Sequence, residues 1–191
     1  VYTFLGVDPN ARSADGSDCL VIFTIAMPAN GKPIIVNIFN DVVAPEDHAE
    51  KVLEEAERWK PKQIVIETYA YQSSLAGWVR KLQREKKTFY PVVEFDTPKS
   101  KKTKYVEGLI PYINRGEVAY LPSCENIDVF FQQAESYNSN ERDKDDTLDG
   151  FYLSLHEHFK PSKINIDKKI SDYKKRNKDT QSRKRPRTWN R

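Results

Sequence analysis

At 191 residues, with 38% hydrophobic and 31% charged residues, the chain has the composition of a soluble globular domain with a sizeable core. It holds no run near the roughly 18 apolar residues of a membrane span. Its start, VYTFLGVDPN, has no basic region or small-residue cleavage site of a signal peptide. The two cysteines, Cys19 and Cys124, are isolated; no CxxC pair or secretory context suggests a disulfide or a zinc site, and a reducing cytosol fits. The net charge of +3 is uneven. Residues 160–191 carry 13 Lys+Arg against 3 Asp+Glu, leaving 18 against 25 in residues 1–159. An acidic body therefore carries a basic tail, expected to be flexible and suited to nucleic acid phosphates.

In chain order, YTFLGVD predicts a buried strand ending in Asp8, and NARSADGSD a polar turn. CLVIFTIAM predicts a second strand, PANGKP a turn and IIVNIFNDVV a third strand. Three strands with short turns predict an antiparallel meander. Pro45 opens a helix with Ala49, Val52, Leu53, Ala56 and Trp59 at helical spacing, and Pro61 stops it. QIVIE is a short buried strand. SSLAGWVRKLQREKK predicts a helix, FYPVVEF a strand, SKKTKYVEGLIPYINRGE a helix and VAYL a short strand. CENIDVFFQQAES predicts a helix. The last helix is DDTLDGFYLSLHEHF, with Leu148, Tyr152, Leu155 and Phe159 on one face. The order predicts an α/β fold, a mixed sheet of three antiparallel and then parallel strands flanked by helices.

The carboxylates fall in a pattern. Asp8 ends the first strand, Glu67 ends the fourth, and Asp145, Asp146 and Asp149 open the last helix. If strands one and four are parallel neighbours, Asp8 and Glu67 share an edge. Asp149 lies three residues from Asp146 and four from Asp145, spacings that share a helix face. Burying carboxylates costs several kcal/mol (roughly) unless something pairs with them. Hard cations such as Mg²⁺ and Mn²⁺ favour such oxygen ligands. Two of them about 4 Å apart can drive phosphodiester hydrolysis. The plainer readings are turn formation for Asp8 and N-capping for Asp145. Glu67 resists a plain reading because it directly ends an apolar run.

FLGVDPN, IVIETYAYQ and DDTLDGFY resemble the carboxylate motifs of RNase H-like nucleases. The resemblance extends over most of residues 1–160, and the nuclease domain of the large terminase subunit of tailed bacteriophages is the family most similar. TPKSKKTKYVEGLIPYINRGEVAYLP also looks like that family. The spacing is similar to that of RuvC-type resolvases, which share the fold. The resemblance implies an RNase H-like nuclease domain over residues 1–160, a tail over 161–191, and a DNA endonuclease that cuts concatemeric viral DNA. It implies that Asp8, Glu67 and Asp146 hold Mg²⁺ or Mn²⁺, with Asp149 assisting. Helix geometry leaves Asp145 open. Double-stranded DNA, the small terminase subunit and the portal are the implied partners, and the host cell cytoplasm the implied place. Lys144 stands where the family often has His, and Gly150 where it often has Ala. Gly suggests close packing there.

The chain has no initiator Met and no phosphate-binding GxxxxGK[ST] motif. Both fit a nuclease domain separated from its ATPase motor. Among the remaining candidates, Asp15 and Asp18 read as a solvated turn, with an accessory metal ligand the alternative because that turn starts near Asp8, and His48 as an exposed helix residue. His156 and His158 are two apart and do not share a face. Tyr69, Tyr71 and Gln72 read as packing residues, with DNA contact the minority alternative. Lys99, Lys101, Lys102 and Lys104 form the basic patch of the body, expected to meet DNA. The rival readings are a RuvC-like junction resolvase or transposase-type nuclease, and a non-catalytic DNA-binding module.

Overall fold

The apolar run at the start of the chain forms strand β1 (Tyr2–Arg12). The computed structural model describes residues 1–12, 18–29, 31–68, 73–96, 109–110, 112–137 and 146–159, with the backbone alone for 10–12, 18, 73 and 156–159. β1 pairs antiparallel with β2 (Asp18–Met27), and β2 with β3 (Ile34–Asp41). β1 runs past the expected end at Asp8. The ladder shifts register between Asp8 and Ala11, then resumes as Ala11↔Cys19. Pro9 has no N–H for the ladder, and it falls at that irregularity, where a strand tolerates proline.

A 3₁₀ turn at Pro45–Asp47 leads into α1 (His48–Trp59). Lys60 ends α1 in the left-handed region (φ 48) just before Pro61. Next come β4 (Gln63–Glu67), α2 (Ser73–Lys86), β5 (Val92–Phe95), β6 (Ala119–Tyr120), α3 (Ile127–Ser136) and α4 (Asp146–Phe159). β4 is parallel to β1, β5 to β4 and β6 to β3. Among the described residues, six strands form one sheet in the order β5-β4-β1-β2-β3-β6. This is the mixed α/β sheet expected from the sequence. Of the helix expected over 100–117, residues 109–110 and 112–114 are helical, and 100–108 and Pro111 lie outside the described residues.

Strand alternation gives the sheet two covered faces. Leu5, Val7, Ile64 and Ile66 pack with Val52, Leu53 and Ala56 of α1 and Leu75 and Val79 of α2. On the other face, Phe4, Phe23, Ile25 and Val65 pack with Phe130 of α3 and Leu148, Phe151 and Leu155 of α4. Phe130 joins the layers, its ring centroid 5.4 Å from Phe23 and 5.3 Å from Phe151. Each such side chain contributes about 1.5–3 kcal/mol by leaving water.

Two expectations are corrected. α4 does not bury a single face: every residue from Thr147 to Leu155 is buried. It rests on the sheet through Gly6 and touches α3 through Thr147 and Gln133. Ser154 tolerates this by donating its hydroxyl to the Phe151 carbonyl (2.7 Å). His48 is buried rather than exposed. Its Nε2 donates to the Val43 carbonyl at 3.0 Å, tying the start of α1 to the preceding connection.

Cys19 and Cys124 are free and buried. Burial pushes the Cys124 thiol up to about 11 from its ordinary 9.0, because the thiolate loses water. Native protein at pH 8 is therefore expected to resist alkylation at Cys124, as read by mass spectrometry with and without denaturant. The sign for stability follows: the unfolded thiol ionises first, so the contribution of Cys124 is complete below pH 9 and is lost as pH rises towards 11.

The chain divides into two compact units, Val1–Glu157 and His158–Arg191, and the sheet belongs to the first. Among the described residues no helix is long and apolar enough to cross a membrane.

Candidate functional site

β1 and β4 are the central parallel pair, with Val7 opposite Ile66. One residue further along both strands stand Asp8 and Glu67. Parallel neighbours in register project to the same face, on strands about 4.8 Å apart. That face is the α4 face, because Phe4 and Val65 precede Asp8 and Glu67 at even spacing and belong to its core. Asp8 is 3% exposed and Glu67 7%. The strands thus hold two buried carboxylates side by side.

α4 reaches the same place because two glycines let it. A Cβ on Gly6 would lie under 3.0 Å from the Gly150 carbonyl oxygen and the Ser154 amide nitrogen. Gly6 is two residues before Asp8, so the α4 backbone rests directly on β1. A Cβ on Gly150 would lie 3.0 Å from Phe23 Cβ and Val21 Cγ1. Val21 is the ladder partner of Asp8. Asp149, the residue before Gly150, is 3% exposed. Asp146, the first residue of α4, is half-buried one turn earlier.

The start of α4 is held from the side by α3. Gln133 Oε1 accepts hydrogen bonds from the Thr147 amide (2.9 Å) and the Thr147 hydroxyl. α3 is itself tied to the sheet, since Asn126 donates its side-chain amide to the Ile38 carbonyl of β3 at 2.8 Å.

No protein-family model and no curated sequence matches this chain. Solved structures do. The fowlpox virus Holliday junction resolvase superposes with a TM-score of 0.52 at 12% identity, over 81% of this chain and 96% of its own. The fold is RNase H-like. The yeast mitochondrial Holliday junction resolvase Ydc2 gives a TM-score of 0.49 at 18% identity, over 78% of this chain and 76% of its own. RuvC of Thermus thermophilus, solved with a Holliday junction substrate, gives 0.43 at 15% identity, over 82% and 93%. In this RNase H-like sheet β4 and β1 are the second and third of six strands, so Asp8 and Glu67 lie inside the sheet and not on an edge strand.

The donors suit a hard divalent cation in their chemistry: carboxylates of β1 and β4 side by side on one sheet face, with Asp146 and Asp149 on the helix that packs on that face. Among the described residues, however, no three or more His, Cys, Asp and Glu are grouped so as to hold a metal ion. The arrangement is a pair, Asp8 and Glu67, under the helix that carries Asp146 and Asp149. Asp145, Lys144, Asp15, Tyr69, Tyr71, Gln72 and the cluster Lys99, Lys101, Lys102 and Lys104 lie outside the described residues. Asp18 opens β2, and His156 and His158 lie on α4; of these three the backbone is described. Sequence reasoning missed Gly6, although a glycine inside an apolar strand signals close backbone approach. It also missed Gln133, which nothing in FFQQAES distinguishes from a surface glutamine.

Proposed function

We propose that the chain is a divalent-metal-dependent DNA endonuclease in which Asp8, Glu67 and Asp146 hold Mg²⁺ or Mn²⁺ and Asp149 assists. The observation that carries this is the buried Asp8–Glu67 pair on the face covered by α4. When bound, one or two such ions supply Lewis acidity at a phosphodiester and acidify water. The chain's own part is placement. Asp8 and Glu67 sit on paired central strands, which cannot move independently. Asp149 sits on a helix whose backbone touches β1. The apolar residues around them keep the local dielectric low and strengthen their attraction for a cation. Lys99, Lys101, Lys102, Lys104 and the basic tail over 161–191 bring the phosphate backbone to an otherwise acidic body.

The three motifs favour the nuclease domain of a phage terminase large subunit. In that reading the substrate is concatemeric double-stranded DNA, the small terminase subunit and the portal are partners, and the work is done in the host cell cytoplasm. A second reading, a junction resolvase, is favoured by the fold likeness to the fowlpox virus resolvase. Cleavage assays in Mn²⁺ with linear duplex and with a four-way junction separate them. The terminase reading expects the linear duplex to be cut and the junction to gain no preference. Symmetric nicking confined to the junction would replace it with the resolvase. Gel shifts without any cut would leave a non-catalytic DNA-binding module.

A further inference from the structure

We propose that Gln133 is the positioning residue for the α4 carboxylates. This rests on the reading that Asp146 and Asp149 meet a divalent cation together with Asp8 and Glu67. The first amides of a helix have no partner inside it. At α4 one of them, Thr147 N–H, goes to Gln133 of a different helix, and the Thr147 hydroxyl goes to the same oxygen. Both residues are buried, Thr147 fully and Gln133 at 8% exposure. Water therefore competes poorly for these bonds, and losing them strands buried donors.

Thr147 lies between Asp146 and Asp149, so a restraint on its backbone acts on both. Apolar packing through Leu148 and Phe151 sets how deep α4 lies but resists sliding and rotation weakly, because it is non-directional. A hydrogen bond to the first turn fixes both. Gln133 can do this because its own helix is fixed. Asn126 bonds the Ile38 carbonyl about two turns before it, and Phe130 packs on Phe23 between them. The path runs from β3 through α3 to the start of α4. It sets how closely Asp146 and Asp149 approach the pair on β1 and β4. Groups that orient ligands in this way are worth about 10–100-fold in metal affinity.

The test is calorimetric titration of Mn²⁺ into the whole chain, as wild type, Gln133→Met, Thr147→Val and Thr147→Ser, with melts in EDTA alongside. Met keeps the length and apolar stem of Gln but removes the acceptor. Gln133→Met is expected to weaken Mn²⁺ binding about tenfold or more. Thr147→Val should move the same way by less, and Thr147→Ser, which keeps both donors, should bind as wild type. A Gln133→Met protein that melts lower in EDTA yet binds Mn²⁺ like wild type overturns the proposal and leaves Gln133 a packing residue. If that variant does not fold, Thr147→Val decides on the same criterion. A wild type that binds no Mn²⁺ overturns the metal reading itself, and this inference with it. Wild-type binding with unaltered variants overturns this inference alone.

Discussion

Asp8→Asn is expected to reduce DNA cleavage to background while leaving the fold intact, and to melt higher than wild type in EDTA. The strand tolerates the change because Asn has the same shape and Asp8 sits in a paired ladder whose backbone bonds do not depend on its side chain. Activity does not tolerate it, because one of the two adjoining strand carboxylates loses its charge. The stability gain has its origin in crowding. Asp8 and Glu67 are buried side by side on one sheet face, Asp149 is buried on the helix over it, and like charges in a poorly solvated place repel. Removing one relieves about 1 kcal/mol, read as roughly 2–4 °C for a chain of this size. Millimolar Mn²⁺ should raise the melting temperature of wild type by mass action and that of the variant by less. If Lys or Arg pairs with this carboxylate instead, the signs reverse: Asp8→Asn strands a buried cation and destabilises. A variant that melts lower in EDTA, beside a wild type indifferent to Mn²⁺, would sink the metal site.

Much of this site was legible before folding because it lies at the ends of strongly patterned elements. FLGVD and QIVIE are short apolar runs that end in an acid. The parallel pairing of their strands follows from a meander followed by a β-α unit, so Asp8 beside Glu67 was an inference of topology. α4 was legible as a helix but not as a buried one. Its apolar residues mark one face, while Thr147, Asp149 and Ser154 look like solvent positions. Thr147 is covered by Gln133 of α3 and Ser154 rests on Gly6 of β1, and such docking depends on residues such as Phe130, Gln133 and Gly6 whose partners no local pattern marks. His48 was misread for the same reason. Its partner, the Val43 carbonyl, lies in a connection whose path no periodicity encodes.

Gly6→Ala is expected to be among the most damaging single changes outside the carboxylates, although it adds one methyl group. The new Cβ would meet the Gly150 carbonyl oxygen and the Ser154 amide nitrogen under 3.0 Å away, and Leu153 Cβ at 2.9 Å. The first two are main-chain atoms of a continuous helix, so neither can step aside alone. α4 must lift from β1 as a unit, loosening its contacts with Phe4 and Phe23. Overpacking costs about 1–3 kcal/mol, and rigid neighbours place this site at the upper end. That corresponds to roughly 6–12 °C in melting temperature. Gly150→Ala is the matched control on the facing element. Its Cβ would lie 3.0 Å from Phe23 Cβ and Val21 Cγ1; Val21 can turn its methyl away, while Phe23 Cβ is fixed to β2, so there the backbone must give by a few tenths of an ångström, far less than at Gly6. Alanine also gains about 1 kcal/mol over glycine inside a helix. The two effects oppose, so this variant should melt within a few degrees of wild type. The split carries over to the carboxylates. Lifting α4 draws Asp149 away from Asp8, so folded Gly6→Ala protein should lose most of its Mn²⁺-induced stabilisation while Gly150→Ala keeps it. If thermal melts find both glycine variants equally stable and equally responsive to Mn²⁺, α4 does not rest on β1 and its carboxylates do not belong with Asp8 and Glu67.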